Sequence, residues 1–288
     1  MTRLTAQSVT PAVRAWLRQA HHARILHVFD HAVNLVAGAD VLSLVTPDIG
    51  NGPFNVVVPS SDFAQIALSD PVRIFPDAIH IGSLVIDLSS APLWNPSPDW
   101  AHLCDHLVLL RAKAPVIRTV LQQHAPANSL AHLVVELPVP PSELEAHFVN
   151  AARQHWQLLY QGALIQDHAV CAAGAAQLAG LGGGLTPAGD DWLLGCALAA
   201  HLDSPSPTAA ALILNAIRQA TSRTSLLSSG WLRAAVDGAC SRYWHTFFAC
   251  CLQADDHTVY QAALDILRQG HSSGADALSG YFALLGTD

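Results

Sequence analysis

Residues 132–145, HLVVELPVPPSELE, separate two parts of the chain that have different sequence patterns. The first ten residues indicate a last strand that runs into a proline-rich boundary, because proline cannot donate to a sheet and restricts the residue before it. The remaining residues begin a helix. Ser142 and Glu145 have the spacing of a capping box, in which each side chain satisfies the backbone amide of the other residue. The stretch therefore predicts a change from strands to helices near residue 140.

The part before this boundary has the pattern of a β-rich region. Short runs rich in Val, Ile and Leu alternate with turn signals, which is typical of strands. Residues 103–123 are an exception and are expected to be helical. The predicted strands lie within RILHVFDHAVNLV (24–36), DVLSLVTP (40–47), FNVVVP (54–59) and IHIGSLVIDLS (79–89).

The part after the boundary has the pattern of helices. ELEAHFVNAARQHWQLLYQ (143–161) shows helical periodicity, and an alanine-rich segment (167–180) follows it. PAGDDWLLGCALAAHL (187–202) predicts the next helix, with four more after it. We predict an α+β protein with a β-rich part at 1–140 and a mainly helical part at 141–288. The two parts could be separate domains or one continuous domain.

Composition excludes several classes of function. The chain has 288 residues and a formal net charge of −8, which argues against a nucleic-acid or anionic-membrane surface because such partners require a basic patch. A small anion remains an acceptable ligand. We find no signal peptide, no apolar run long enough for a membrane helix and no CxxC pair. These features predict a protein of the reducing cytoplasm.

The stretch GLGGGLTPAGDD (180–191) carries the strongest functional pattern. Its glycines let a ligand approach the backbone, and Thr186-Pro187 predicts a helix start whose free amides and dipole favour an anion. Asp190 and Asp191 would repel that anion unless a divalent cation such as Mg²⁺ lay between them. The alternative is a flexible loop before a helix whose first turn contains two acids. The spacing is neither a Walker A motif nor GxGxxG.

Two later stretches have a similar design. TSRTSLLSSGWLRAAVDG (221–238) places hydroxyls beside Arg223, and GHSSGAD (270–276) leads into the last predicted helix. The second stretch also matches GxSxG, the nucleophile elbow of α/β-hydrolases. That elbow needs a preceding strand and a later histidine, whereas the preceding segment has a helical pattern and no histidine follows His271. We therefore interpret these stretches as further helix starts around a small anion.

These motifs resemble those of the AllH-like family of bacterial proteins, long catalogued as a domain of unknown function. The family signature GLGPGLTPSGDD is followed by an aromatic residue. Here Gly183 and Ala188 replace the proline and the serine, and Trp192 is the aromatic residue. Residues 221–238 resemble the family's TSxxS segment, residues 270–280 resemble its GHTSGxDxLxG segment, and NGPFNVVV (51–58) resembles its glycine-proline turn.

The resemblance implies a subunit of oxamate carbamoyltransferase, an enzyme of anaerobic allantoin breakdown and hence of purine catabolism. That enzyme exchanges a carbamoyl group between oxalurate and phosphate, giving oxamate and carbamoyl phosphate. The expected partners are a small anionic metabolite and the other subunits of the complex. The alternative hypothesis is a non-catalytic subunit that binds a small anion and regulates or scaffolds a metabolic complex.

The site residues follow from the motifs and the resemblance together. Asp190, Asp191 and His271 are the candidate catalytic residues. The two adjacent aspartates would hold Mg²⁺ or orient a substrate amide. The candidate binding residues are Gly182, Gly183, Gly184, Thr186, Arg223, Thr224, Ser225, Ser272, Ser273 and Asp276.

Overall fold

The computed structural model describes residues 2–20, 22–60 and 63–286. It divides into two compact units. Residues 1–96 and 240–242 form a strand-rich unit, and residues 97–239 and 243–288 form a helical unit. Strands and helices are thus segregated along the chain, which confirms the α+β prediction.

The strand-rich unit contains two four-stranded sheets. Their orders are β1-β8-β7-β6, in which β1 runs parallel to β8, and β2-β3-β4-β5, in which β5 runs parallel to β4. The apolar faces of both sheets share one core, which includes Val33, Leu42 and Ile86. The elements are β1 (Thr2–Thr5), α1 (Pro11–Gln19), β2 (Arg24–Val28), β3 (Ala32–Ala37), β4 (Asp40–Val45), β5 (Asn55–Val57), β6 (Val72–Phe75), β7 (Ala78–Ile81) and β8 (Leu84–Asp87).

The helical unit is built around two buried helices. The helices are α2 (Trp100–Asp105), α3 (Leu107–Ala112), α4 (Ala114–His124), α5 (Glu143–Leu164), α6 (His168–Leu178), α7 (Ala188–Ala200), α8 (Pro207–Ala220), α9 (Leu226–Val236), α10 (Arg242–Gln253), α11 (Asp256–Leu267) and α12 (Ser273–Leu285). Short 3-10 helices lie at Leu130–Leu133 and Thr221–Arg223. Both α7 and α12 are buried on nearly every side, as expected of core helices.

The close packing of α7 against α12 depends on glycine. A Cβ atom at Gly195 would lie 1.8 Å from the carbonyl oxygen of Ala277, and one at Gly280 would lie 2.1 Å from that of Trp192. Real Cβ atoms essentially never come within 3.0 Å of another heavy atom. The two helices can therefore approach this closely only because both positions lack a side chain, and this approach brings their N-terminal ends together.

The structure differs from the sequence predictions at the proline-rich segment. The stretch 132–141 is not a strand, since its first two residues end a 3-10 helix and the stretch has no sheet partner in the described structure. The strand-rich unit comprises residues 1–96 and 240–242, whereas the sequence analysis places the β-rich part at 1–140. The single helix expected at 103–123 is three short helices, and five helices rather than four follow α7 in the described chain.

The capping box that opens α5 is confirmed. The Ser142 hydroxyl accepts from the Glu145 amide at 3.4 Å, and the Glu145 carboxylate accepts from the Ser142 amide at 2.8 Å. The same hydroxyl and amide donate hydrogen bonds to the Glu145 carboxylate, and these hold the pKa of Glu145 below its ordinary value.

Within the described residues, the helices are too short or too polar to cross a membrane.

Candidate functional site

Three helix starts that are distant in sequence meet in the helical unit. The Thr186 and Ser273 hydroxyls hydrogen-bond at 2.9 Å and join the segment that precedes α7 to the first residue of α12. The Ser225 hydroxyl donates to the carbonyl oxygen of Leu185 at 3.1 Å and joins the start of α9 to the same loop. The structure thus brings together the three stretches that the sequence singled out.

The glycine loop at 180–187 has the positive φ angles that its glycines allow. Gly182 and Gly184 have φ values of +113° and +90°, a region that residues with side chains rarely adopt. Gly182, Gly183 and Gly184 are exposed, and a Cβ at Gly183 or Gly184 would meet no atom within 4 Å. The loop therefore borders open space that a ligand could occupy.

Most of the free amides of this site belong to the loop, because most amides in the first turn of α7 already have acceptors. The Gly189 amide donates to the Leu181 carbonyl, and the Asp190 amide donates to the Pro187 carbonyl, each at 2.9 Å. Among the described residues, no protein acceptor pairs with the amides of Gly182, Gly183 and Gly184. Thr186 does not cap α7, because Pro187 occupies the N-cap position and the Thr186 hydroxyl bonds to Ser273 instead.

Asp190 fixes the loop in place. Its Oδ1 atom accepts from the Gly180 amide at 2.8 Å, and its Oδ2 atom accepts from the Thr224 hydroxyl. The side chain is buried, which raises its pKa, while hydrogen bonds from Thr224, Gly180 and Ser228 act in the opposite direction. Because both carboxylate oxygens have protein partners, Asp190 connects the loop to the segment before α9.

Asp191 and Asp276 each have one oxygen without a partner. Asp276 Oδ1 accepts from the Leu130 amide at 2.6 Å, whereas its Oδ2 atom and the Oδ2 atom of Asp191 are buried and accept no hydrogen bond in the described structure. Burial raises the pKa of Asp276 to about 7. Burial also raises the pKa of Asp191 well above its ordinary value, and the charges of Asp276 and Asp190 add to this rise, while hydrogen bonds from the Ser273 and Thr186 hydroxyls act in the opposite direction.

The acids do not form a recognisable metal centre. Within the described residues, no group of three or more His, Cys, Asp or Glu side chains is placed to hold a metal ion. Since Asp190 also uses both oxygens within the protein, the arrangement gives no support to the Mg²⁺ that the sequence suggested between Asp190 and Asp191.

The remaining expected residues lie at the edge of the site. Arg223 and His271 are exposed, and neither side chain hydrogen-bonds to the three aspartates among the described residues. Ser272 occupies the N-cap position of α12, although its side chain makes no capping hydrogen bond. The segment before α12 is helix α11 rather than a strand, which confirms the exclusion of a nucleophile elbow.

The sequence analysis did not identify several residues that contribute to the candidate site. Leu130 acts through its backbone amide, and no side-chain pattern could have indicated that role. Phe148 of α5 would lie 3.6 Å from a Cβ atom at Gly182, and Ser228 supports both Asp190 and the Leu185 carbonyl. The position of Ser228, three residues after Ser225, was an available signal because these residues share a helix face.

Comparison with known protein families agrees with this architecture. Residues 178–285 match the family model described as oxamate carbamoyltransferase subunit AllH, and residues 5–93 match the model of the AllH family N-terminal domain. The chain belongs to the AllH family. The AllH match contains the glycine loop and the starts of α9 and α12, so every candidate residue lies inside it. The AllH N-terminal match covers the strand-rich unit. No solved structure matches the chain.

Proposed function

We propose that the chain is a subunit of an oxamate carbamoyltransferase-like enzyme of purine catabolism and that it binds a small anion at the glycine loop. The observation that carries the proposal is the meeting of three helix starts beside exposed glycine amides. Helix N-termini carry partial positive charge, and loop amides without protein acceptors supply directed donors. Phosphate, carbamoyl phosphate and a small carboxylate all suit this environment.

The buried acids are compatible with an anion because their charges are reduced. The unpaired Oδ2 atoms would be costly to bury as parts of two adjacent carboxylates. The raised pKa values of Asp191 and Asp276 favour protonated carboxyls, which do not repel an anion as carboxylates would. This arrangement accounts for acids beside an anion site without a cation.

The chemistry implied by the family fits such a site. In the exchange, an oxygen of hydrogen phosphate forms a bond to the carbamoyl carbon of oxalurate as the bond from that carbon to the amide nitrogen breaks. The phosphate proton goes to the leaving nitrogen, and the products are carbamoyl phosphate and oxamate. Negative charge develops on the carbamoyl oxygen during attack, and fixed backbone donors are suited to stabilise it. Gly182, Gly183 and Gly184 would supply these donors.

Anion binding is tested with a charge added at Gly183, where a side chain meets no neighbour. We expect phosphate or oxamate at a hundred times its dissociation constant to stabilise the protein by about 2.7 kcal/mol. This corresponds to a shift of roughly 5–10 °C in thermal denaturation. Gly183→Asp should abolish the shift, and the neutral, equally sized Gly183→Asn should keep most of it. Equal shifts in both variants would contradict an anion at this loop.

Catalysis is tested in the assembled complex. We expect the chain to copurify with the other subunits and carbamoyl phosphate to form from oxalurate and phosphate only when this chain is present. Titrating Mg²⁺ into the same assay tests the cation requirement separately. Ligand binding without any contribution to turnover would favour the non-catalytic, regulatory alternative.

A further inference from the structure

Two histidines at the end of α2 lie in ring-to-ring contact. His102 and His106, the histidine pair, are four residues apart, a spacing that places side chains on the same face of a helix. Their ring centroids are 4.4 Å apart. His102 is exposed and His106 is half-buried, so an ion in solution can reach both rings. Neither residue belongs to the candidate site at the glycine loop.

The spacing alone does not create such a pair. His27 and His31 are also four residues apart, but β2 ends at Val28 and His31 lies in the bend before β3. The ring of His27 contacts Phe29, and no ring contact joins it to His31 in the described structure. A helical turn, in contrast, brings residues four apart to within about 5–6 Å of each other. His31 is therefore a matched control for the histidine pair.

Hydrogen bonds fix the inner side of α2 to the rest of the helical unit. The indole N–H of Trp100 donates to the Gly238 carbonyl oxygen at 2.8 Å. The Cys104 thiol donates to the His201 carbonyl oxygen at 3.3 Å. Because these bonds hold the helix, the histidine pair is positioned before any ligand binds. The thiol that lies between the two histidines in sequence is engaged inside the unit and is not a further ligand.

A backbone hydrogen bond determines which nitrogen of His106 carries the hydrogen. Its Nδ1 atom lies 2.9 Å from the carbonyl oxygen of His102. A carbonyl oxygen only accepts, so Nδ1 donates and the lone pair of the neutral ring is on Nε2. Metal-bound histidines usually donate their second ring N–H to such an oxygen. The ring of His102 has no hydrogen-bond partner among the described residues, so each ring has a lone pair to offer an ion.

The separation of the rings is close to that of two imidazoles on one ion. With a metal–nitrogen bond of about 2.0–2.1 Å, a bound ring has its centroid about 3.2 Å from the ion. Two such rings at an angle of about 90–110° have centroids about 4.5–5.2 Å apart. From the observed 4.4 Å, the rings need to separate by less than about 1 Å, which the exposed side chain of His102 allows. Imidazole ligands favour Ni²⁺, Cu²⁺ and Zn²⁺ over Mg²⁺ and Ca²⁺.

We propose that His102 and His106 together bind one divalent transition-metal ion through their imidazole nitrogens. This site goes beyond the proposed anion site and shares no residue with it. Among the described residues, no third His, Cys, Asp or Glu side chain joins the pair, so water or another exchangeable ligand completes the coordination. His106 lies between α2 and α3, and its side chain does not cap α3. The ion would therefore also stabilise the turn that connects these two short helices.

The test is isothermal titration of NiCl₂ into the full-length chain, prepared without an affinity tag. We expect one Ni²⁺ ion to bind at the histidine pair. Changing a residue that only supports a metal ligand lowers metal affinity about 10- to 100-fold, so loss of a ligand should weaken binding at least about 10-fold. His102→Gln and His106→Gln should each show this loss, whereas the matched control His31→Gln should bind Ni²⁺ like the unaltered protein. Circular dichroism at 222 nm verifies that the variants are folded.

A second measurement does not depend on any variant. Electron paramagnetic resonance of the unaltered protein with one equivalent of Cu²⁺ should show coupling to two imidazole nitrogens. Fewer than two nitrogens would overturn the proposal, as would an unaltered chain that binds no Ni²⁺. Equal Ni²⁺ binding in the unaltered protein and in the folded variants of the histidine pair would assign the ion to other residues. An equal loss in His31→Gln would show nonspecific binding to surface histidines and would overturn the proposal as well.

Discussion

Replacing Gly195 by alanine should destabilise the helical unit, because α7 and α12 meet at this glycine. The added Cβ atom would lie 1.8 Å from the Ala277 carbonyl oxygen and 2.6 Å from the Tyr281 amide nitrogen. Both are backbone atoms, so no side-chain rotation can relieve the clash. The separation from the Ala277 oxygen must grow from 1.8 Å to at least 3.0 Å, which requires the helices to move apart.

The expected cost lies at the upper end of the range for overpacked cores, about 3 kcal/mol. For a unit of this size, 1 kcal/mol shifts the midpoint of thermal denaturation by roughly 2–4 °C. We therefore expect Gly195→Ala to lower the melting temperature by about 6–12 °C. The same movement would separate the Thr186 and Ser273 hydroxyls at the helix starts, so phosphate binding should weaken as well.

The assay is thermal denaturation followed by circular dichroism at 222 nm, without ligand. Gly183→Ala is the matched control, because a Cβ atom there meets nothing within 4 Å. Its melting temperature should stay close to that of the unaltered protein or rise slightly, since alanine restricts the unfolded chain. A Gly195→Ala protein that melts within 1 °C of the control would refute the argument that α7 and α12 need this glycine.

Three further predictions follow from buried or capping groups. The pKa of Asp276 is raised to about 7 from 3.8, so between these pH values the folded chain binds a proton that the unfolded chain releases. Stability should therefore fall as pH rises from about 4 to 7. In Asp276→Asn, the denaturation midpoint should depend less on pH across that range. Asp167 accepts from the Ala169 and Val170 amides, so Asp167→Ala should cost about 0.5–2 kcal/mol in urea denaturation, and no loss would contradict this cap. Cys104 and Cys250 are half-buried and the other four cysteines are buried, so a thiol reagent should modify at most these two rapidly in the native state and all six in denaturant. Rapid reaction of a third thiol in the native state would contradict the burial of the other four.

The strands and helix starts could be predicted where a local pattern determines them. Alternating apolar runs located β2, β3, β4, β5, β7 and β8, and the capping box located α5. The segment 132–141 was misassigned because its apolar residues lack a partner strand, and a strand requires one. Sequence pattern alone does not reveal whether a partner is present.

The pair Thr-Pro shows why the site could be predicted only in part. Thr10-Pro11 and Thr186-Pro187 carry the same start signal. Thr10 does cap α1, and its hydroxyl accepts from the Val13 amide at 3.2 Å. The Thr186 hydroxyl instead bonds to Ser273, which is 87 residues away. The Thr-Pro-Ala tripeptide is the same in both places, so this local signal alone does not decide which partner the threonine takes.

The hydrogen bonds at the start of α7 explain why the proposed anion site would depend on glycines in addition to a helix start. Most amides in the first turn of α7 already have acceptors, because Gly189 donates to Leu181 and Asp190 donates to Pro187. In the proposed anion site, the dipole of α7 would still favour an anion, and most of the directed donors would come from the preceding loop. Gly182 and Gly184 reach the required backbone only at positive φ, which other residues rarely adopt. A proline at position 183 would remove one of these donors, so Gly183 gives the loop one more amide to offer the proposed anion.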